Sequence, residues 1–210
     1  TDNYKHIRRT NLLLQNAEAY AKPEDIKQYI GEAYFFRAYS YFDLLQLYGD
    51  VIITKKPLDI TDPEMKVKRN DRSEVVDLII DDLNHAVENL PAFKELTTEE
   101  EGRISKEGAQ AFLSRVALYE GTWQKSRNGN QNTQRSANLL DIAAKAARTV
   151  IDAKYGYTFR LFGTDSETKI LGDSAQKYMF ILENEKSNPA GIKKSSNHEY
   201  IFARRHDQVL

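Results

Sequence analysis

Two apolar stretches of this 210-residue chain coincide when the first is slid 71 positions onto the second. Ala38 then falls on Ala109, Tyr41 on Phe112, Phe42 on Leu113, Leu45 on Val116 and Leu47-Tyr48 on Leu118-Tyr119. In both stretches apolar residues recur at three- and four-residue steps, the period that gathers side chains on one face of an α-helix. A lone helical hairpin cannot bury its apolar face, so two matching helices predict hairpins stacked on one another. The period is about twice a tetratricopeptide unit of ~34 residues, which leaves room for long connecting loops. Small side chains at Ala38 and Ala109 let a neighbouring helix come close, and the aromatics behind them fill the groove.

Five helices follow from this periodicity. The first carries Tyr4, Ile7, Leu14 and Ala17 on one face and ends at Lys22-Pro23. The second follows Pro23, whose fixed φ suits an early helical turn. It presents Tyr29, Ala33, Phe36, Ser40, Leu44 and Leu47 as its core stripe and stops at Gly49. Residues 50–71 form a long connection with one short strand at Val51-Ile52-Ile53. Ser73 is the expected N-cap of the third helix, with Glu74 and Asp77 near the positive end of its dipole. Val76, Ile79, Ile80, Leu83, Val87 and Leu90 form its stripe, closed by Pro91.

An acidic loop, residues 94–102, leads to a fourth helix capped by Ser105. Its inward face is Ala109, Phe112, Leu113, Val116 and Ala117, and Gly121 is its expected stop. A polar insert, residues 124–134, reads as mobile and precedes a fifth helix from Ser136. That helix carries Leu140, Ala143, Ala144, Ala147 and Ile151, with Gly156 as its C-terminal stop. Beyond Gly163 the pattern weakens; residues 178–182 and 199–203 are short apolar runs compatible with helix or strand. The expected fold is mainly all-α, built of stacked tetratricopeptide-like helical hairpins with long connecting loops. Residues 1–162 form the helical-repeat scaffold, and 163–210 an irregular continuation into further chain of the same domain.

Composition removes several kinds of function. With 30 Lys+Arg against 31 Asp+Glu the net charge is −1, so no field draws nucleic acid to the chain. The absence of Cys excludes disulfides, thiolate zinc sites and cysteine nucleophiles together. No run approaches the ~20 apolar residues of a membrane-spanning helix, and residues 1–9 lack a secretory-signal pattern. His6, His85, His198 and His206 are scattered, so neither a metal site nor a cofactor is expected.

Asp81-Asp82 and Glu99-Glu100-Glu101 are adjacent carboxylates. A glycosidase instead sets two carboxylates about 5 to 10 Å apart across the bond it cleaves, so solvated charge is the expectation at both places. Arg37, embedded among aromatics, suits an inter-helix salt bridge or a stacking contact. Trp123 is the only Trp and lies just past the expected end of the fourth helix, beside the polar insert. Such a ring can stack on the apolar face of a pyranose or simply pack the helix end. It is the one candidate glycan-binding residue.

Residues 32–51, EAYFFRAYSYFDLLQLYGDV, resemble the "EA-x-FLRA-x-YYFDL-x-x-LYGDVP" signature of the SusD/RagB family. In the same order, Asp81-Asp82-Leu83 to Leu90-Pro91 is similar to that family's "DL-x-x-A-x-x-x-LP". Gly102-Arg103-Ile104-Ser105-Lys106 resembles "GR-x-TK-x-A", and residues 111–123 resemble "A-x-L-x-RVxLYEGTW". Residues 4–11 look like the "Y-x-x-I-x-x-AN" helix that precedes them. Ile52 replaces the usual Pro, and Glu107 stands where smaller residues are usual.

The resemblance implies a non-catalytic nutrient-binding lipoprotein facing outward from a Bacteroidota-type outer membrane, held by a lipidated Cys upstream of Thr1. It implies binding of oligosaccharide, or sometimes peptide, and delivery to a TonB-dependent SusC-like transporter. A different reading, an intracellular tetratricopeptide-type scaffold for protein partners, is compatible with the helical hairpins alone. A signal and lipidation Cys in the complete reading frame would separate the two.

Overall fold

A computed structural model describes residues 2–59, 61–100, 102–127, 133–182 and 186–202. Its helices are α1 (Asp2–Glu18), α2 (Lys27–Tyr48), α3 (Arg72–Asn89), α4 (Lys106–Arg127), α5 (Thr133–Ile151) and the short α6 (Ala175–Met179). Among the described residues there is no strand. Val51 and Asn70 form a single antiparallel bridge, the Asn70 N–H donating to the Val51 carbonyl at 2.9 Å. The expected strand is reduced to that bridge, and the all-α expectation holds.

α1 and α2, α2 and α3, and α4 and α5 run antiparallel, as the residue pairs that join them show. Asn3 meets Asp43 while Asn11 meets Arg37. Arg37 meets Asp82 while Arg72 reaches the Leu45 carbonyl. Ser136 bonds the Gly121 carbonyl while Ser114 bonds that of Ala143. α2 and α4, the two matching helices, lie side by side through Phe35–Phe112, Phe42–Phe112 and Phe42–Tyr119 ring contacts at 5.5 Å. Ala38 and Ala109 are both fully buried, and small side chains at such positions let neighbouring helices come close.

The main core is built from Ile7, Tyr41, Leu44, Leu45, Val75, Ile79, Leu83, Ala109, Val116 and Leu139 with their neighbours. Each large aliphatic side chain taken fully out of water stabilises by roughly 1.5–3 kcal/mol. A second, smaller cluster gathers Phe162, Leu171, Ala175, Leu182 and Ile192. Between α5 and that cluster, Tyr157 and Phe159 pack on Phe93, with centroids 4.5 and 5.2 Å away, and tie the chain after α5 to the loop after α3.

The structure departs from the sequence expectations in definite ways. α2 buries Phe35, Arg37, Ala38, Tyr41, Phe42, Leu44 and Leu45, and it leaves Tyr29, Phe36 and Leu47 of the expected stripe exposed. Ala33, Ser40 and Leu44 of that stripe are buried, so neighbours approach along part of the expected face and along others as well. α3 begins at Arg72, with Asp71 rather than Ser73 as N-cap. The Asp71 N–H donates to the Glu74 carboxylate at 3.1 Å, so the box closes three residues on from Asp71. Ser105 does cap α4, its Oγ accepting from the Gly108 N–H at 3.2 Å.

Gly121 does not end α4, which runs on to Arg127. It is a point of close approach: a Cβ there would lie 3.0 Å from Leu140 and 3.3 Å from Leu139. Gly49, by contrast, does stop α2, at φ +70° with its N–H on the Leu45 carbonyl at 3.0 Å. α5 starts at Thr133 and buries Ser136, Leu139, Ala143, Ala146 and Val150, a face turned from the expected one, so Ala144 and Ile151 are exposed. Of the polar insert, residues 124–127 belong to α4 and 133–134 to α5, while 128–132 lie outside the described residues. In residues 178–182, α6 extends through Met179 and Leu182 is buried. Residues 199–202 are neither helix nor strand, and Ala203 lies outside the described residues.

Candidate functional site

Trp123, the residue singled out from the sequence, lies within α4 and not beyond its end. The Arg72 guanidinium, from the first turn of α3, lies over its ring with the central carbon 4.1 Å from the centroid. Arg72 is held there by buried Glu120, one turn back on α4, at 2.8 Å. Glu120 in turn accepts from the Gln124 amide at 2.7 Å. One face of the indole is therefore taken by a cation–π contact that links α3 to α4.

Among the described residues, Arg37 carries the largest buried polar group. It donates two bonds to the Asp82 carboxylate, from Nε at 2.8 Å and Nη2 at 2.6 Å, and a third to the Asn11 side-chain oxygen at 2.8 Å. Asn11 returns to the backbone through its amide, which donates to the Thr54 and Lys56 carbonyls. α1, α2, α3 and the loop after α2 thus converge on one guanidinium. The inter-helix salt bridge expected of Arg37 is present, whereas Asp82 is not the solvated charge expected of it.

Burial alone would lower the Arg37 guanidinium, but the hydrogen bonds and charge of Asp82 outweigh it and raise the group further. Burial pushes the Asp82 carboxyl up and Arg37 pulls it back. Since a guanidinium does not give up its proton in a protein, the two short bonds keep the pair ionised. This cluster organises the fold and is closed to solvent. The sequence does carry a signal for it: Asp82 sits on the same face as Ile79, Leu83 and Ala86, where an unpaired carboxylate would be costly.

Two further pairs bridge the hairpins. Arg103, before α4, forks onto Glu32 of α2 with both bonds at 2.7 Å and lies over the Tyr29 ring. Arg135 of α5 reaches Asp77 of α3 at 2.8 Å. Between α3 and α5 runs an open groove of about 630 Å³, floored by Ile80, Leu139 and Ile142 and rimmed by Asp77, Asp81, Asn84 and Asn138. A second, more apolar groove of about 440 Å³ lies where Leu12, Leu13 and Tyr20 at α1 face Ile26 and Tyr29.

The adjacent carboxylates read from the sequence lie in separate settings. Asp81 is exposed and contacts His85 on its own helix, Asp82 is sealed by Arg37, and Glu99-Glu100 sit on an exposed turn; Glu101 lies outside the described residues, as does His206. Among the described residues no group of three or more His, Asp or Glu side chains could hold a metal ion. None of the described helices is long and apolar enough to cross a membrane.

Comparison with known proteins places this geometry. A SusD-like family model, described as starch-binding and associating with the outer membrane, matches residues 1–118. A SusD-like protein of Formosa agariphila is 34% identical over 117 residues, covering 55% of this chain and 22% of the relative. The crystal structure of a SusD-like protein of Bacteroides fragilis aligns over 96% of this chain and 32% of its own, at 25% identity and a TM-score of 0.69. A laminarin-binding SusD-like protein aligns over 83% of this chain and 35% of its own, at 26% identity and a TM-score of 0.60. This chain spans roughly a fifth to a third of the length of these proteins. With its signature helix and its inter-helix arginine both inside the matched residues, which make up more than half of its length, the chain belongs to the SusD-like family.

Proposed function

We propose that the protein binds oligosaccharide at the outer face of the outer membrane, without chemistry, and delivers it to a TonB-dependent SusC-like transporter. Its attachment would be a lipid anchor upstream of Thr1. The observation that carries this reading is the family match over residues 1–118, joined to a solved laminarin-binding relative that shares the fold over 83% of the chain. Residues 1–162 act as the helical-repeat scaffold, and 163–210 as an irregular continuation of the same domain. The regular, periodic character of the helices and their internal ion pairs supports a supporting role for this portion, with most ligand contacts coming from elsewhere in the protein.

Isothermal calorimetry of this chain and of the full-length protein against laminari- and malto-oligosaccharides tests the reading. Binding by the full-length protein, with weak or no binding by the 210-residue chain, is expected. Equal affinities would locate the site within these residues, with Trp123→Ala the first substitution to make. No binding of any glycan by the full-length protein would overturn the function. Release of reducing ends on prolonged incubation with the same glycans would overturn its non-catalytic character.

A further inference from the structure

The groove between α3 and α5 is walled by two facing stripes. Asp77, Asp81 and Asn84 follow one another at four- and three-residue steps along α3, and Gln134 and Asn138 stand four residues apart on α5, so each set lies on one face of its helix. The two helices start side by side, where Arg135 donates to the Ser73 carbonyl at 3.0 Å and to the Asp77 carboxylate at 2.8 Å. At 1.5 Å per residue the stretch from Asp77 to Asn84 is about 10 Å long, and the volume of about 630 Å³ lies within the range of small-molecule sites. Beneath the rim are Ile80 and Ile142, half-buried, and Leu139, buried.

The rim holds both donors and acceptors in place. The Gln134 amide donates to the Asn138 side-chain oxygen at 2.9 Å, one helical turn away. That bond orients both side chains and leaves the Asn138 amide hydrogens and the Gln134 oxygen for a ligand. Asn84, on the opposite wall, is exposed, and its side chain bonds no other described residue. Asp77 keeps acceptor capacity beside Arg135, as does Asp81, because a carboxylate accepts up to about four hydrogen bonds.

We propose that this groove is a second saccharide site, carried by the helical scaffold itself, for a short stretch of a neutral, hydroxyl-rich chain. The inference rests on the oligosaccharide reading above and adds a site to it. A hydroxyl donates and accepts at once, so a sugar gives to Asp77 and Asp81 while it takes from Asn84 and Asn138, and its C–H face lies on the isoleucines. An anionic ligand would bring its charge against two carboxylates. A wholly apolar one would strip the amides of water without replacing those bonds. Because the groove is open, it covers less of a ligand than an enclosed pocket does and holds it weakly.

Methyl NMR of the full-length protein labelled at isoleucine, titrated with laminarihexaose and with maltohexaose, tests the proposal; Ile80→Val and Ile142→Val assign the two signals. The Ile80 and Ile142 methyls should shift together, at higher sugar concentration than the binding seen by calorimetry. Asn84→Leu with Asn138→Leu should abolish those shifts and leave the urea midpoint and the calorimetric affinity unmoved. Calorimetric binding with both methyls silent toward either sugar would overturn this inference alone, and no binding by either method would overturn the oligosaccharide reading with it. Shifts that persist in the double variant would overturn the assignment of the site. Equal shifts on adding trialanine would overturn it in favour of a peptide.

Discussion

Replacing Asp82 by Ala removes the anion from a guanidinium that has almost no access to water. The Arg37 and Asp82 side chains are 7% and 1% exposed, and their two bonds are 2.8 and 2.6 Å long. Without Asp82, Arg37 keeps only its bond to Asn11, and neither donor facing α3 has a replacement. Breaking a buried pair in this way costs about 3–5 kcal/mol. With a urea dependence near 2 kcal/mol per molar for a chain of this size, the midpoint should fall by roughly 2 M. Helix ellipticity against urea measures it.

Removing both charges is a different perturbation, because it also removes the cost of burying them. Arg37→Met with Asp82→Leu should therefore recover much of the loss. Recovery should stop short of wild type by about 1–3 kcal/mol, because the Asn11 side-chain oxygen loses its donor. A midpoint for Asp82→Ala within error of wild type would refute the reasoning. A double variant as unstable as the sum of the two single ones would refute it as well.

Gly121→Ala should destabilise by about 1–3 kcal/mol, because the new methyl meets Leu140 at 3.0 Å; a midpoint equal to wild type would show that α5 is not seated there. Gly31→Ala should cost more, since its Cβ would lie 2.9 Å from the Leu90 backbone nitrogen, which cannot swing aside as a side chain can. Ala38→Trp and Ala109→Trp should each destabilise by roughly 1–3 kcal/mol or more, and unchanged midpoints in both would refute the close seam between stacked hairpins. Burial raises the Tyr41 phenol, against hydrogen bonds from Thr54 that lower it. Its contribution to stability is therefore full below the ordinary phenol value of about 10, where neither state ionises, and is lost as pH climbs through the raised folded value. Tyrosinate absorbance should show a cooperative step coincident with unfolding, and a smooth titration of all 12 tyrosines would contradict this.

Helix existence was legible in the sequence because it is a local property. Apolar spacing, Pro23, Gly49, Pro91 and the Ser105 cap all act within a few residues of one another. The match between the second and fourth helices is also a linear pattern, and it suffices to predict stacking. The long ordered signature in residues 32–51 carried the family in the same way.

What the helices do to one another was not written at that range. Gly121 has the character of a stop in the sequence, yet Leu139 and Leu140 of α5 make it a point of contact inside a continuing helix. Asp82 looks like half of a solvated acidic pair until Arg37, 45 positions earlier, turns out to lie against it. Trp123 has the look of an exposed platform until Arg72 from another helix covers one face. The stripe on α2 is the clearest case. Periodicity identifies Tyr29, Phe36 and Leu47 as a face that needs covering, but a helix apolar on all sides has no preferred inward direction. Only the placement of α1, α3 and α4 decides which faces are buried, because burial belongs to contacts between distant segments and not to either segment alone.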